Sequence, residues 1–456
     1  MDSHEITEWG RLDIEDAGPP SLEDRSLAAQ LRGQADEIGS TEGSKLLLDW
    51  SYDGRLRVRA RSWVGVVRVA GHEIRVVPKH TRGSLGVLTM LRYASGAIPE
   101  QLRSARTVHG GDRNLLDLVC LLLADESELV VRQGALQDYV EHEGALPMLR
   151  GRLLLDRQVR ARYGQVEEIE CRFDELETDI AENRILAAGL AVAGRVCTDV
   201  MIRARVRRLA EAFAELCSVA QGVTDADEPM EYTRRNRHYA AGHVWARLLL
   251  AQHGIHDLYA AGTPRTQAFL LDMNVLFERF IAQALEDSAQ GTPLRVDRQS
   301  STGSIIVDAL TGRTYTRVRP DVLVQDNERQ ETYPVDTKYK LYDQRRVAPE
   351  DIYQAFLYAF AFHPGHGPRQ ASLVYPSDRS EVNQRLAVRG SGVTQATIRG
   401  VRVNLEELVD RAAVGQIVDP GLLMLCAGYG EGTTDRSTVG RNLNDRLPNR
   451  DPEPRR

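Results

Sequence analysis

Apolar residues recur at every second position in the segment that begins at Ser44. Leu56, Val58 and Ala60 alternate with arginines, and the stretches VVRVAG and HEIRVVPKH follow, separated by a turn at Gly71. A period of two places alternate side chains on one face of a strand. The pattern therefore predicts a small β-rich unit that ends near Pro78, with helices over GVLTMLRYA and NLLDLVCLLLADESELVV packed against it.

Apolar spacings of three and four residues, typical of helices, dominate from Asp179 to about Gln290. The clearest pattern lies in QAFLLDMNVLFERFIAQALEDS, which is predicted to be one continuous helix. Its apolar stripe consists of Leu270, Met273, Phe277, Ile281 and Ala284.

After Gly291 the strand period returns in SIIVDAL, TYTRVRPDVLV and TYPVDTKYK, and a helix (DIYQAFLYAFAF) and a strand (ASLVYP) follow. The two ends of the chain are polar and predicted to be disordered. These patterns predict a multidomain α+β or α/β chain. Its parts are a mobile polar leader, an N-terminal β-rich domain, a helical region, a C-terminal domain with a mixed sheet flanked by helices, and a disordered tail, over residues 1–43, 44–165, 166–265, 266–427 and 428–456.

Length and composition exclude several classes of protein. A chain of 456 residues is expected to form more than one domain. The net charge of −7 argues against coating nucleic acid through bulk positive charge, although one basic strip would suffice for local contact. The five cysteines have no metal-site or redox spacing, and no apolar run is long enough to span a membrane. Without a signal peptide at its start, the chain is expected in the cytoplasm.

Lysine is rare in this chain. Lysine and arginine together number 58, yet the only lysines are Lys45, Lys79, Lys338 and Lys340. The bias is typical of a GC-rich coding sequence. Two of the four lysines lie in one short segment beside Asp336, which makes that segment the first place to search for chemistry.

Two carboxylates in this region are predicted to meet at one edge of a sheet. Asp321 follows a proline at the start of one strand, Asp336 lies in the next, and the turn-like QDNERQ between them predicts a β-hairpin. Magnesium uses one or two carboxylates together with phosphate and water. Lys338 shares the face of Asp336, where its amine could orient water or neutralise charge on a cleaved phosphodiester. The segment therefore predicts a metal-dependent nuclease site.

Residues on two flanking helices could extend this site. Gln354 and Tyr358 are four residues apart on one helix face, and Glu278 lies at the edge of the preceding apolar stripe, where it could be a further metal ligand. Each could equally be the polar edge of an ordinary amphipathic helix. Asp308 is expected to be structural, and His363 and His366 are not expected to bind zinc. Two arginine clusters could contact phosphates or form solvated surface: Arg203, Arg205, Arg207 and Arg208, and Arg234, Arg235 and Arg237.

These residues resemble the PD-(D/E)xK nuclease superfamily, and Gln354 with Tyr358 resembles the helix after the lysine in its RecB-like branch. From about residue 45 to 375 the chain resembles the McrC family, nuclease subunits of McrBC (type IV) restriction systems. The order of GVVRVAGHEIRVVPKH, LTMLRYASG, LQDYVEHEGALPMLRGRL, RFDELETDIAENRIL, NRHY, LFERF, RPDVLV and PVDTKYK carries this resemblance.

The resemblance implies a C-terminal PD-(D/E)xK core that cleaves double-stranded, modified DNA with Mg²⁺. It also implies an N-terminal domain that docks on a partner AAA+ GTPase and stimulates GTP hydrolysis. No lysine follows a glycine, so this chain lacks a P-loop, and GTP would act only through the partner. Two alternatives stay open: a motor-activating adaptor with a decayed nuclease domain, and a RecB-like repair nuclease that works with a helicase.

Overall fold

The computed structural model describes residues 2–32, 44–81, 83–95, 114–164, 167–259, 268–298, 305–340, 342, 345–363, 365, 369–416 and 419–428. The chain divides into two compact units. The first comprises Met1–Phe280 with Glu406–Gln416, and the second comprises Ile281–Leu405 with Ile417–Arg456. Both helices and several sheets are present, which confirms the predicted mixed α/β class.

Three sheets belong to the first unit. Their orders are β1-β6-β5-β10, β2-β4-β3 and β7-β9-β8. The strands are β1 Asp2–Thr7, β2 Arg11–Ile14, β3 Leu46–Trp50, β4 Leu56–Ala60, β5 Trp63–Val69, β6 His72–Val77, β7 Asp138–Leu146, β8 Arg152–Leu153, β9 Ile169–Glu177 and β10 Ala268–Asp272. As the period of two predicts, Leu56, Val58 and Ala60 are buried while the arginines between them are exposed.

The described part of the predicted leader is folded, so that prediction was wrong for residues 2–32. β1 pairs in parallel with β6, and β2 pairs with β4. Ile6, Ile14, Leu27 and Leu31 are buried in the core of the sheets that β3–β6 help to form. Polar composition misled the prediction because one or two apolar residues per short element suffice when the other face is solvated. Residues 33–43 and the predicted tail from residue 429 lie outside the described residues.

Helices make up most of the remainder of the first unit. They are α1 Leu22–Arg32, α2 Gly83–Ala94, α3 Leu115–Gln133, α4 Leu155–Ala161, α5 Ala181–Val196, α6 Val200–Ala214, α7 Val219–Asp227 and α8 Ala240–Tyr259. The next helix, α9 Met273–Ala289, begins in the first unit and ends in the second.

The sequence predicted one helix from residue 267 onward, and its beginning was wrong. Ala268–Asp272 is strand β10, which pairs antiparallel with β5. Phe269, Leu270 and Leu271 are all buried, and a short apolar run of this kind does not distinguish a buried strand from a helix. Pairing with β5 decides the conformation, and Asp272 accepts a hydrogen bond from the Asn274 backbone N–H as the helix starts.

A six-stranded mixed sheet, in the order β11-β14-β15-β16-β18-β17, dominates the second unit, beside the two-stranded sheet β12-β13. The strands are β11 Leu294–Arg298, β12 Ile305–Val307, β13 Thr314–Arg317, β14 Val322–Asp326, β15 Glu331–Thr337, β16 Gln370–Ser377, β17 Glu381–Gly390 and β18 Val393–Asn404. The later helices of the chain are α10 Pro349–Ala361, α11 Leu405–Ala413, most of which belongs to the first unit, and α12 Pro420–Cys426.

Helix α10 packs on the sheet of the second unit. Its apolar residues Ala355 and Ala359 lie in one buried cluster with Leu373 and Tyr375 of β16 and Ile398 of β18. Small alanines on the helix let it approach the strands closely. This packing holds the polar side of α10 beside the ends of the strands, where the predicted site residues lie.

The five cysteines are free and buried, as predicted. Among the described residues, no helix has both the length and the apolar character needed to cross a membrane.

Candidate active site

The β-hairpin of β14 and β15 brings the two predicted carboxylates to one end of the sheet. Val322 pairs with Val335, so the next position outward places Asp321 opposite Asp336. β15 also pairs in parallel with β16, where Asp336 lies beside Leu373. Asp336 is thus on a central strand, and its side chain is 2% exposed.

Asp336 and Lys338 form a buried ion pair. Nζ of Lys338 lies 2.9 Å from Oδ2 of Asp336, and the lysine side chain is 18% exposed. Oδ2 is shielded from solvent, and the ammonium of Lys338 is the charged partner that it contacts. Burial, helped by the charge of Asp321, raises the pKa of Asp336 to about 7, although Lys338 acts in the opposite direction. Asp336 is therefore a buried carboxylate with a raised pKa that contacts the ammonium of Lys338.

Asp321 is held differently. Its Oδ2 accepts two hydrogen bonds from Thr337, from the backbone N–H at 2.7 Å and from Oγ1 at 2.7 Å. Thr337 is almost fully buried, whereas Asp321 is half-buried. These bonds anchor one oxygen of the Asp321 carboxylate and fix the direction of the group.

The predicted helix residues meet the lysine. Nζ of Lys338 donates to Oε1 of Gln354 at 2.9 Å, and Nε2 of Gln354 donates to the hydroxyl of Tyr358 at 2.7 Å. Burial lowers the pKa of Lys338, but the nearby carboxylates, led by Asp336, raise it more, so that it lies above its usual value. Lys338 is therefore a charged ammonium held between a strand and a helix.

Sequence inspection missed Asp351, a buried residue in the first turn of α10. Its Oδ2 accepts a hydrogen bond from Nζ of Lys340 at 2.7 Å and another from the hydroxyl of Tyr342. Its Oδ1 lies 3.8 Å from Nζ of Lys338. One signal was available: Asp351 lies three residues before Gln354, so both fall on the same side of the helix.

Other predicted residues lie on other elements of the chain. Glu278 is half-buried on α9 within the first unit, and its role as a metal ligand stays a prediction. Asp308 caps a turn by accepting the backbone N–H groups of Leu310 and Thr311, consistent with a structural role. His363 accepts a hydrogen bond from the Gly365 backbone N–H, and His366 lies outside the described residues.

The arginine clusters are partly engaged in structural contacts. Arg205 pairs with Asp125 and Glu128, Arg207 donates to the Gly194 carbonyl, and Arg235 pairs with Asp138. Phosphate contact by the other members stays a prediction.

The donor set at the hairpin suits a hard divalent cation. Asp321 and Asp336 offer carboxylate oxygens, and Oδ2 of Asp336 is shielded from solvent beside the ammonium of Lys338. In the first unit, His142, Glu175 and Glu177 form another group that could hold a cation, but Glu175 already lies 3.5 Å from Arg150. That group has no buried lysine of the kind found at the hairpin.

Residues 58–376 match the family described as "McrBC 5-methylcytosine restriction system component". The match covers more than half of the chain. The chain belongs to this family. Among curated proteins, the comparison found no relative.

Solved structures add a likeness of fold. One chain of a structure described as a refined half-complex from the tetradecameric assembly of Thermococcus gammatolerans McrB AAA+ hexamers with bound McrC is 18% identical. That match has a TM-score of 0.58 and covers 91% of this chain and 99% of the other. A chain of the Thermococcus gammatolerans McrBC complex is 23% identical, with a TM-score of 0.47, and the match covers 63% of this chain and 88% of the other.

Proposed function

We propose that this chain is the Mg²⁺-dependent DNA endonuclease subunit of a modification-dependent, McrBC-like restriction system. The observation that carries the proposal is the buried Asp336, paired at 2.9 Å with Lys338 and placed one pair beyond Val322 and Val335, opposite Asp321. Two carboxylates and a lysine at the end of a mixed sheet, followed by a helix with Gln354 and Tyr358, support a PD-(D/E)xK nuclease core. Family membership makes a restriction substrate the natural one.

Each residue has a distinct task in this proposal. Asp321 and Asp336 would hold Mg²⁺, and a bound Mg²⁺ supplies positive charge that neutralises phosphate oxygens and favours an activated water. Thr337 keeps the Asp321 carboxylate in place. Lys338 offers an ammonium to the charge that develops on the phosphate during cleavage. Gln354 keeps that ammonium at the end of the central strand β15, and Tyr358 keeps Gln354 in its orientation.

A partner AAA+ GTPase is proposed to supply DNA binding and movement. The family membership and the McrB AAA+ hexamers named for the similar structure support this partner. On this chain, the segment from β7 to the residues just after α4 exposes large apolar side chains, which is unusual for a surface without a partner. They include Tyr139, Met148, Leu149, Leu155 and Tyr163. We infer that this surface docks on the motor.

Cleavage with the partner tests the catalytic proposal. The full chain, a McrB-like AAA+ GTPase partner, GTP and Mg²⁺ are mixed with 5-methylcytosine-containing plasmid. We expect linear or nicked product, which Asp336→Ala abolishes while the stimulation of GTP hydrolysis persists. Cleavage that survives Asp336→Ala contradicts the site. GTPase stimulation without cleavage at any Mg²⁺ concentration identifies a non-catalytic adaptor instead.

A second variant tests the docking surface separately. Tyr139 is 70% exposed, so Tyr139→Asp should fold normally yet weaken the stimulation of GTP hydrolysis. Tyr52, also exposed but on the turn between β3 and β4, provides the matched control as Tyr52→Asp. Equal GTPase stimulation by the two variants contradicts docking through the first surface.

A further inference from the structure

Lys340 and Asp351 form a second charged pair beside Lys338. Nζ of Lys340 lies 2.7 Å from Oδ2 of Asp351, whose side chain is 7% exposed. Tyr342 donates to the same oxygen. The buried Asp351 carboxylate on α10 therefore holds two side chains of the segment that follows β15.

Backbone hydrogen bonds in this segment explain why the side chains of Lys338, Lys340 and Tyr342 all lie near the Asp351 carboxylate. The Lys338 backbone N–H donates to the Val374 carbonyl, which continues the pairing with β16. The Lys340 N–H then donates to the Lys338 carbonyl, and the Tyr342 N–H donates to the Lys340 carbonyl. These hydrogen bonds join residues two positions apart, which keeps Lys338, Lys340 and Tyr342 close to one another.

The two lysines differ in how they meet solvent. Lys338 is 18% exposed and lies between Asp336 and Gln354, whereas the Lys340 side chain is 43% exposed. An ammonium anchored on one side and open on the other can offer its remaining N–H groups to an anion. The neighbouring exposed anion in a nuclease is the backbone phosphate of the nucleic acid.

We propose that Lys340 binds a backbone phosphate of the DNA next to the cleaved bond, and that Asp351 is the positioning residue that holds Lys340. The same carboxylate, 3.8 Å from Nζ of Lys338, stabilises the position of Lys338. This inference rests on the proposed nuclease function and names a contact of that site with its substrate. It assigns the two lysines separate tasks: Lys338 acts at the cleaved phosphate, and Lys340 contacts its neighbour.

DNA affinity as a function of salt tests the role of Lys340. Each phosphate contact contributes about 0.9 to the slope of log affinity against log salt concentration for duplex DNA. With the full chain and its partner, in Ca²⁺ to slow cleavage, we expect Lys340→Gln to weaken binding of a 5-methylcytosine-containing duplex. The magnitude of the slope should fall by about 0.9, the contribution of one phosphate contact. Lys340→Arg keeps the charge and should restore the slope, and Lys45→Gln, which removes the lysine packed over Trp63, is the control.

Single-turnover cleavage tests Asp351. Lys340→Gln should raise the DNA concentration needed for half-maximal rate and leave the maximal rate nearly unchanged. Asp351→Asn should change both, because Lys338 also loses its neighbour. Glu350→Gln, at an exposed acid in the same turn, should change neither.

The outcomes distinguish this inference from the proposed function. Unchanged affinity and salt slope for Lys340→Gln overturn the phosphate contact, whatever the cleavage result. A maximal rate for Asp351→Asn equal to that of the unaltered chain overturns the positioning role. If Lys340→Gln lowers the salt slope as predicted but the unaltered chain never cleaves DNA, the nuclease proposal fails while the phosphate contact stands.

Discussion

The Asp321 carboxylate receives both hydrogen bonds that Thr337 can donate, one from its backbone N–H and one from its hydroxyl, each at 2.7 Å. The two residues are sixteen positions apart; Thr337 ends β15, and Asp321 immediately precedes its partner strand β14. Thr337 thereby orients one proposed metal ligand, while its neighbour Asp336 is the other. The period of two places the Thr337 side chain on the sheet face opposite that of Asp336. Its hydroxyl nevertheless reaches Asp321, because both residues lie at the same end of this strand pair.

Thr337→Val should slow cleavage, because it keeps the shape of the side chain and removes the hydroxyl donor. We expect a loss of about tenfold, equivalent to about 1.4 kcal/mol in the barrier. Thr337→Ser restores the hydroxyl and should recover most of the rate in single-turnover cleavage at saturating Mg²⁺. Equal rates for the Val and Ser variants would show that the backbone N–H alone positions Asp321.

Asp336→Asn should stabilise the second unit at alkaline pH in the absence of divalent ions. The folded pKa of about 7 lies above the ordinary 3.8, so the folded state holds the proton more tightly. Stability is therefore present below pH 4, falls as the pH rises to about 7, and stays low above it. At pH 8 the gain is on the order of 4 kcal/mol, and at pH 4 it should vanish.

Calorimetry of the full chain at the two pH values measures this gain, with Glu350→Gln as the control for removal of an exposed acid. Added Mg²⁺ should stabilise the unaltered chain and leave the Asn variant unchanged, since binding to the folded state raises its stability. An Asn variant that is less stable at pH 8 would show that the pair with Lys338 outweighs burial.

The raised pKa of Asp336 also predicts how the cleavage rate depends on pH on the acid side of the pH–rate profile. Asp336 must lose its proton to bind a cation, so the rate at subsaturating Mg²⁺ should rise through about pH 7. Higher Mg²⁺ competes with the proton and should move the midpoint to lower pH. Rates measured from pH 5.5 to 9 at two Mg²⁺ concentrations decide this, and a midpoint that does not respond to Mg²⁺ would assign this pH dependence to another group.

Tyr358→Phe should slow cleavage without touching the carboxylates. It removes the hydroxyl that accepts from Gln354 at 2.7 Å, which leaves a partly buried amide N–H without that acceptor and frees Gln354 to turn away from Lys338. We expect a loss of about tenfold. Gln354→Ala should cost at least as much, and the double variant no more than the larger single effect, because both act through Lys338. Fully additive losses would contradict a shared path.

His243 should make the first unit sensitive to acid. The ring is fully buried; Nδ1 meets the Tyr232 hydroxyl at 2.9 Å and Nε2 meets the Glu182 carbonyl at 2.9 Å. Burial lowers the pKa of His243 to about 4, below the ordinary 6.5. Stability is therefore complete above pH 6.5 and is lost as the pH falls toward 4.

Tryptophan fluorescence measures this loss selectively, because all four tryptophans, Trp9, Trp50, Trp63 and Trp245, belong to the first unit. In urea titrations from pH 7.5 to 4.5, His243→Gln should be less stable at pH 7.5 and show a flatter decline toward acid. The same slope in both proteins would attribute the acid sensitivity to other groups.

Local patterns could predict the hairpin and most strands of the β-rich segment, because exposed and buried positions alternate there. Phe269, Leu270 and Leu271 carry no such alternation, and only their pairing with β5 makes them a strand. Residues 2–32 fold although they are polar, because their few apolar side chains complete a core formed by distant strands. Burial in each case depends on a partner that the local sequence does not contain.

The sequence by itself determined that Asp321, Asp336 and Lys338 meet at one end of a hairpin, since strand period and turn position are local. It also placed Gln354 and Tyr358 on one helix face. Tertiary structure decided that this face contacts Lys338 and that Thr337 donates to Asp321. It also decided that Asp351 accepts hydrogen bonds from Lys340 and Tyr342. The contacts of Lys338 and Asp351 depend on how α10 packs on β16 and β18, and packing between elements is set by whole buried surfaces rather than by the spacing of residues along the chain.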